Sequence, residues 1–175
     1  QGKPLATPWQ VALTRSKMIN ESSLGKGIIL DCACGSGIQL AAHALLLQRA
    51  ALGIELEPRR ALASAVNLQT IALSSGQQDG RRMAETRVLC GDGRDGKAAL
   101  ETLQHELNLQ QMPEIALLHL DPARPRNSRN HGLDEMTPRL DEIFTGWSSY
   151  LSQGKRGPSL LLDLSPRLSH QQRLQ

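Results

Sequence analysis

The stretch that decides the fold is residues 28–37, with the sequence IILDCACGSG. Its first three residues are aliphatic, and two of them are β-branched, which predicts a buried strand that ends at Asp31. Two glycines then break the strand, and the Ala- and Leu-rich residues 38–49 predict a helix. Because glycine lacks a Cβ, the backbone of such a turn can approach a ligand closely. The stretch therefore predicts the first strand, loop and helix of an α/β domain with a ligand-binding loop.

The same alternation continues to the end of the sequence. Predicted strands occupy residues 51–55, 86–90, 114–121 and 159–164, and predicted helices occupy residues 59–73, 97–109 and 138–151. Residues 74–85 and 122–137 are polar or proline-containing and predict loops. Alternating strands and helices indicate a mostly parallel sheet with helices on both faces. We divide the chain into a helical lead-in, residues 1–26, and a ligand-binding domain, residues 27–175.

An acidic side chain follows each of the first four predicted strands: Asp31, Glu55, Asp92 and Asp121. In parallel sheets the ligand lies at the carboxyl ends of the strands, near the point where the strand order reverses. A carboxylate at Glu55 can accept both hydrogen bonds of a ribose diol, and one at Asp92 can accept from an adenine amine. The predicted ligand-binding residues are Asp31, Cys32, Ala33, Gly35, Gly37, Glu55, Gly91, Asp92 and Asp121.

A dinucleotide dehydrogenase is the rival interpretation. Its fingerprint is Gly-x-Gly-x-x-Gly, in which the third glycine allows the helix to pack closely on the strand. Here Gly35 and Gly37 are followed by Leu40, so that glycine is absent. The first acid, Asp31, precedes Gly35 by four residues, which suits a ligand with a charged amino-acid tail and no pyrophosphate. A simpler role is open for Asp92, because Gly91-Asp92-Gly93 is also typical of a turn.

The ordered motifs resemble those of class I methyltransferases as a superfamily. The residues that follow the fourth strand resemble more narrowly the methyltransferases that carry a C-terminal THUMP-like domain. That family is similar in turn to trimethylguanosine synthase and the tRNA guanine methyltransferases. The matching residues are Asp121-Pro122-Ala123-Arg124, Arg129, Thr137-Pro138-Arg139-Leu140 and Leu164-Ser165-Pro166, with Thr7-Pro8, Ala12 and Arg15 in the lead-in.

This resemblance implies a Rossmann-like fold, S-adenosylmethionine as the cofactor, and RNA, at a tRNA or rRNA base amine, as the methyl acceptor. It implies that Asp121, Pro122 and Arg124 are the catalytic residues. Class I folds usually carry two more strands after the fifth, so we expect a sheet truncated after strand five. The THUMP-like domain is also absent from this sequence, so the resemblance does not extend to RNA capture by that domain.

The loop after the fourth strand leaves the reaction open. Amine-directed enzymes often have an aromatic residue after Asp/Asn-Pro-Pro that stacks on the target base, and Ala123-Arg124 stands there instead. Arg124 could stack on a base or pair with Asp121. Pyrimidine C5 methylation needs a thiolate near this loop, and no cysteine follows Cys90. Two alternatives therefore remain: methylation of a small molecule or protein, and cofactor binding without catalysis.

Composition constrains the remaining expectations. A formal net charge of +3 and a sequence pI near 9.0 mildly favour an anionic partner. Three cysteines, an odd number, indicate reduced thiols and a cytoplasmic protein. We expect no membrane span, since no apolar run is long enough, and no bound metal, since Cys32-x-Cys34 has no second pair. The oligomeric state stays undetermined. His43 and His119 are interpreted as structural, and Arg124, Arg126, Arg129 and His131 as candidate phosphate contacts.

Overall fold

The computed structural model describes residues 6–19, 21–78, 82–122 and 133–164. The described strands are β1 (Ile28–Asp31), β2 (Ala51–Glu55), β3 (Thr86–Cys90), β4 (Ile115–Leu120) and β5 (Leu160–Leu162). The helices are α1 (Trp9–Met18), α2 (Ile38–Leu47), α3 (Pro58–Gln78), α4 (Gly96–Leu107) and α5 (Leu140–Trp147). Short 3-10 turns lie at Glu21–Ser23, Leu133–Glu135 and Ser148–Tyr150.

The five strands form one parallel sheet in the order β3-β2-β1-β4-β5. The chain moves outward from β1 to β3, crosses back, and then moves outward in the other direction through β4 to β5. The strand order therefore reverses between β1 and β4, which is where ligands bind in open α/β sheets. This arrangement confirms the predicted α/β, Rossmann-like fold.

Two apolar cores hold the helices on opposite faces of the sheet. On one face α4 and α5 pack over the sheet through Leu100, Leu103, Ile143 and Trp147, all fully or nearly fully buried. On the other face α2 and α3 pack against β1 and β2, and Trp9 of α1 lies beside them. The core is built from aliphatic side chains, and burying them supplies most of the stabilisation of such a domain. None of the described helices has the length and apolar character of a membrane span.

Several element boundaries differ from the sequence prediction. Helix α3 continues to Gln78, so the prediction of a loop from residue 74 was wrong at its start. The Ser74 hydroxyl donates to the carbonyl of Thr70 at 2.8 Å, which lets serine remain inside a helix. Helices α2 and α4 end earlier than predicted, because Gln48 and Asn108 adopt the left-handed conformation and stop them.

The last two elements are also shorter than predicted. Helix α5 begins at Leu140, because Arg139 is extended and forms a capping box with Glu142, and it ends at Trp147, where a 3-10 turn follows. Strand β5 covers Leu160–Leu162 only. Of the predicted loop 122–137, residues 123–132 lie outside the described residues.

Candidate functional site

The loop between β1 and α2 is fixed by backbone hydrogen bonds at the carboxyl ends of the strands. The Cys34 N–H donates to the carbonyl of Ile54 in β2 at 3.0 Å, and the Gly37 N–H donates to the carbonyl of Cys34 at 2.8 Å. The Ala33 N–H donates to Asp31 Oδ1 at 3.1 Å. The loop therefore has a defined shape, held by its own residues and by β2.

The glycines at these strand ends have different surroundings. Gly35 has a φ of +53°, and a Cβ on it would come no closer than 3.9 Å to its nearest neighbour, the carbonyl oxygen of Ala33. A Cβ on Gly91 would meet no atom of the described chain within 4 Å. By contrast, Gly37, with a φ of +74°, lies against Ser64 of α3, which a Cβ would strike. Gly35 and Gly91 thus leave open backbone for a ligand, whereas Gly37 allows α3 to pack.

Glu55 ends β2 as a nearly buried carboxylate, with 7% of its surface exposed. Its Oε1 accepts the N–H of Glu57 at 3.0 Å and lies 3.5 Å from Nε of Arg60. The structure shows no hydrogen bond to its Oε2 from the described residues. Glu57, two residues later, is half-exposed and accepts the N–H groups of Arg59 and Arg60 at the start of α3. The two neighbouring acids therefore differ: Glu57 caps a helix, and Glu55 retains an acceptor.

Asp92 follows β3 and adopts the simpler of its two predicted arrangements. Its carboxylate accepts the backbone N–H of Arg94 at 3.0 Å and the Arg94 guanidinium at 2.6 to 3.1 Å. The hydrogen bonds from Arg94 lower the pKa of Asp92. Helix α5 also holds this turn, because Trp147 Nε1 donates to the carbonyl of Gly93 at 2.7 Å. Asp92 is thus an ionised turn carboxylate, and any role toward an adenine amine must share it with Arg94.

A cleft of about 350 Å³ lies beside that turn. Apolar side chains of β2, β3 and α4 line part of it, including Ile54, Leu89, Ala98 and Ala99. Polar groups line the rest: Gly91, Asp92 and Asp95 after β3, and Thr102 and Glu106 on α4. A lining that combines apolar side chains with a few polar groups suits a flat heterocyclic base.

On the face of the sheet covered by α1 and α2, the ends of β1, β4 and β5 carry a charged trio, in which Asp31 and His119 are buried and Asp163 is partly exposed. His119 of β4 is 1% exposed, with Nδ1 at 3.0 Å from Asp31 Oδ2 and Nε2 at 3.1 Å from Asp163 Oδ2. Burial lowers the pKa of His119, but the Asp31 carboxylate and the hydrogen bonds to Asp163 and Asp31 outweigh this effect and raise the pKa to about 9. The ring is therefore an imidazolium at neutral pH, and it donates to both carboxylates.

Arg15 connects this trio to the lead-in helix and to the predicted catalytic loop. Its Nη1 lies 3.0 Å from Asp163 Oδ2, 3.4 Å from Gln39 Oε1 and 3.8 Å from Asp121 Oδ2. Asp121 is the exposed end of the group, with 46% of its side chain accessible. Burial of the other part and the nearby Asp163 carboxylate raise the pKa of Asp121. The cation beside Asp121 in the described chain is therefore Arg15 of α1.

His43 lies next to His119 on the same face and has the opposite character. Its ring centroid is 5.3 Å from that of His119, and its Nδ1 is 2.9 Å from Oγ of Ser16. Burial lowers the pKa of His43 to about 4, and the charge on His119 adds to this effect. His43 is therefore neutral, and its Nδ1–H donates to Ser16, whose hydroxyl donates to the carbonyl of Ala12 at 2.9 Å. It joins α2 to α1.

The structure places Asp31, Cys32, Ala33, Gly35, Glu55, Gly91, Asp92 and Asp121 at the carboxyl ends of β1 to β4, with Gly37 turned toward α3 and Pro122 buried next to Asp121. Arg124, Arg126, Arg129 and His131 lie outside the described residues. Cys32 and Cys34 are buried, and burial raises the pKa of both, so they are thiols rather than thiolates.

The sequence reasoning missed the link through His119, Asp163 and Arg15. The register of the sheet contains its signal, since Asp31 of β1 is the direct partner of His119 in β4. His119 is the polar residue of an otherwise apolar strand and lies two residues before Asp121. It therefore faces the end of the neighbouring strand, β1. Only the strand order shows that this neighbour is β1, so the pairing could not be identified before the sheet was known.

Comparison with known proteins gives a fold rather than a family. No protein-family model matches the chain, and no curated protein matches it. A crystal structure from Porphyromonas gingivalis W83, named as that of a candidate methyltransferase, is similar over 97% of the chain, with a TM-score of 0.62 and 20% identity. A type I restriction-modification system methyltransferase subunit from Streptococcus thermophilus is similar over 91%, with a TM-score of 0.52 and 15% identity.

The chain spans about one third of each of these proteins, 34% in both comparisons. At such low identity the likeness establishes the architecture alone. The chain has the Rossmann-like fold seen in these methyltransferase structures, and its own activity has to be argued from its site.

The two buried histidines predict a maximum of stability near pH 6.5. Between pH 6.5 and 4 the unfolded chain binds a proton that folded His43 does not bind, so the protein becomes less stable as the pH is lowered. Between pH 6.5 and 9 folded His119 keeps a proton that the unfolded chain releases, so stability falls as pH rises. Each side contributes a slope of up to about 1.4 kcal/mol per pH unit. Urea unfolding followed by circular dichroism measures the curve.

Single variants separate the two sides of that curve. His43→Gln should flatten the acid side and His119→Gln the alkaline side, while His105→Gln, exposed on α4, should leave both unchanged. An alkaline side that survives in His119→Gln would contradict the assignment of the imidazolium.

Proposed function

We propose that the chain is the cofactor-binding core of an S-adenosylmethionine-dependent methyltransferase. The observation that carries this proposal is the arrangement at the strand ends. The acids of β1 to β4 lie along the carboxyl edge of the sheet. Gly35 leaves open backbone after β1, next to the reversal of strand order, and Gly91 does so after the outer strand β3. A ligand with a base, a ribose and a charged amino-acid tail presents groups that match those positions.

The ribose end of this site is proposed at Glu55. The carboxylate is almost buried and held by the Glu57 N–H through one oxygen, so it is oriented before the ligand arrives. Its other oxygen remains available to accept from ribose hydroxyls. Charge-assisted hydrogen bonds of this kind are stronger than neutral ones, and orienting the acceptor beforehand lowers the entropic cost of binding.

The adenine is proposed to occupy the neighbouring cleft. The apolar side chains of Ile54, Leu89 and Ala98 suit the faces of the base, and the backbone of Gly91 is open at the rim. Because Arg94 already engages the Asp92 carboxylate, we assign more of the specificity to the apolar walls and to the backbone than the sequence suggested.

The amino-acid tail is proposed to lie at the β1 end, near Asp31 and Asp121. Three carboxylates, those of Asp31, Asp121 and Asp163, surround two cations, His119 and Arg15. The group therefore carries one negative charge in excess, and Asp121 is its exposed member. Such a site favours a cationic ammonium group over an anion.

S-adenosylmethionine supplies a methyl group on a sulfonium sulfur, which an acceptor can displace in line. The chain's contribution to such a reaction is alignment and electrostatics. Asp121, half-exposed beside buried Pro122, can accept a hydrogen bond from an amine and so orient its lone pair. The raised pKa of Asp121 suits it to take up a proton from that amine.

RNA is the acceptor we propose. It is supported by the basic sequence pI and by the resemblance of Asp121-Pro122-Ala123-Arg124 to RNA-directed enzymes. Scarce aromatic side chains leave few stacking platforms, so phosphate and arginine contacts would provide most of the affinity. The alternative is cofactor binding without turnover, which is favoured by the missing aromatic residue after Asp121-Pro122.

Glu55→Gln tests the cofactor site. The change keeps an acceptor for the Glu57 N–H but removes the charge offered to the ribose, so S-adenosylhomocysteine should bind about 10- to 100-fold more weakly. Isothermal titration calorimetry measures the affinity. Glu57→Gln is the matched control, because it alters a neighbouring acid that caps α3, and it should bind within about twofold of the wild-type chain. Equal losses of affinity in both variants would show that Glu55 does not bind the ribose.

The acceptor is tested with methyl-labelled S-adenosylmethionine and total RNA. Label should enter RNA, should become soluble after ribonuclease treatment, and should fall at least about 100-fold in Asp121→Ala, which loses the acceptor that orients the amine. Asp141→Ala, which removes an exposed acid on α5, serves as the control. Label that resists ribonuclease would indicate a protein or small-molecule acceptor, and binding without transfer would indicate a module that does not catalyse.

A further inference from the structure

The charged group at the ends of β1, β4 and β5 is centred on a buried histidine. His119 is almost completely buried, yet both of its ring nitrogens face carboxylates, Asp31 at 3.0 Å and Asp163 at 3.1 Å. A neutral imidazole has a single N–H and can donate to only one of them. With both carboxyl groups ionised, both contacts are satisfied only when the ring is protonated, and the histidine then bridges three neighbouring strand ends.

A purely stabilising role explains this arrangement poorly. Burying charges costs desolvation energy that the ion pair often fails to recover, and an apolar residue of similar volume is frequently as stable or more so. The rest of β4 is apolar, and the neighbouring core residues Leu118 and Leu120 are fully buried. The structure therefore retains a costly polar residue at the one position in β4 that faces the end of β1.

The contacts of Asp31 indicate what the histidine controls. Asp31 Oδ2 faces His119, and Asp31 Oδ1 accepts the N–H of Ala33 in the β1 loop. The ring thereby fixes the carboxylate that in turn fixes the first residues of that loop. The Cys32 N–H also donates to the carbonyl of His119 at 3.3 Å, so the backbone of His119 holds the same loop.

Two further groups surround the His119 ring, and one of them, Arg15, connects it to the exposed Asp121. Arg15 of α1 shares Asp163 with His119 and lies 3.8 Å from Asp121. On the α2 side, His43 is neutral and meets the ring edge to face. The ring is thus the central cation of a chain that runs from the β1 loop through Asp163 and Arg15 to Asp121.

We propose that His119 is a positioning residue of the cofactor site: through Asp31 it sets the loop that receives the ligand's amino-acid tail, while Asp163 holds the ring from its other side. This inference rests on the proposed function. It deepens that function by assigning recognition of the tail, as opposed to the adenosine, to a residue that does not touch the ligand.

Two ligands that differ only in the tail test the assignment. S-adenosylhomocysteine carries the amino-acid tail, and methylthioadenosine lacks its amino and carboxyl groups. In His119→Gln the side-chain amide takes the place of Nε2 and faces Asp163, so the donor to Asp31 is lost. Affinity for S-adenosylhomocysteine should fall at least about tenfold, while affinity for methylthioadenosine should stay within about twofold. His119→Asn, whose amide takes the place of Nδ1 toward Asp31, should lose less.

His43→Gln is the matched control, since His43 is equally buried on the same face but does not contact the carboxylates; both affinities should stay within about threefold. The wild-type chain gives a second readout that needs no variant. Nitrogen-15 NMR should show a doubly protonated His119 ring at pH 7.5, and its signals should move on addition of S-adenosylhomocysteine but not of methylthioadenosine.

The outcomes separate the positioning role from the proposed function. If the wild-type chain binds neither nucleoside, the proposed function fails and the positioning role fails with it. If the wild-type chain binds both and His119→Gln weakens both equally, or if the ring is neutral at pH 7.5, the positioning role alone is overturned. A loss confined to the ligand with the tail supports it.

Discussion

The parallel pairing of β1 with β4, which places Asp31 beside His119, is the constraint on which the rest of the site depends. The strand order reverses between these two strands, so a crevice opens above their carboxyl ends. The buried imidazolium holds Asp31, and Asp31 holds the start of the β1 loop. Next to β1, strand β2 ends at Glu55, and β3 is followed by the turn at Gly91. On the other side, Arg15 of the lead-in helix lies close to Asp121. The acidic side chains and their cationic partners therefore lie at the same edge of the sheet.

This arrangement divides the edge into two halves with different chemistry. Around β2 and β3 the cleft combines apolar side chains with polar groups, and Glu55 offers a carboxylate oxygen without a hydrogen bond from the described chain. Around β1, β4 and β5 the charges are densely paired, with one negative charge in excess. A nucleoside suits the first half, and the ammonium group of an amino-acid tail suits the second, so the two halves match the two ends of the proposed ligand. Burying His119 and its carboxylates around β1, β4 and β5 costs desolvation free energy.

The sequence predicted the strands and the acids at their ends, because aliphatic runs followed by an acid or glycine are local patterns. The absence of a third glycine, with Leu40 in the loop-to-helix segment, also argued against a dinucleotide site. The limit of α3 was mispredicted, since Ser74 satisfies its hydroxyl on the backbone of its own helix. The Asp92–Arg94 pair is local, yet the turn chemistry did not show which of two roles its carboxylate would take. His119 was interpreted as merely structural, because its partners Asp31 and Asp163 are 88 and 44 residues away and meet it only through the strand order.

We propose that the ordered acids at this sheet edge form one S-adenosylmethionine site. A crystal structure of the chain with S-adenosylhomocysteine tests it most directly. The ribose hydroxyls should lie within hydrogen-bond distance of Glu55, the adenine in the cleft beside Gly91, and the amino-acid tail over the loop that follows Asp31. A ligand bound instead in the groove between α1 and β5, near Arg15 and Leu160, with the Glu55 edge left empty, would contradict it.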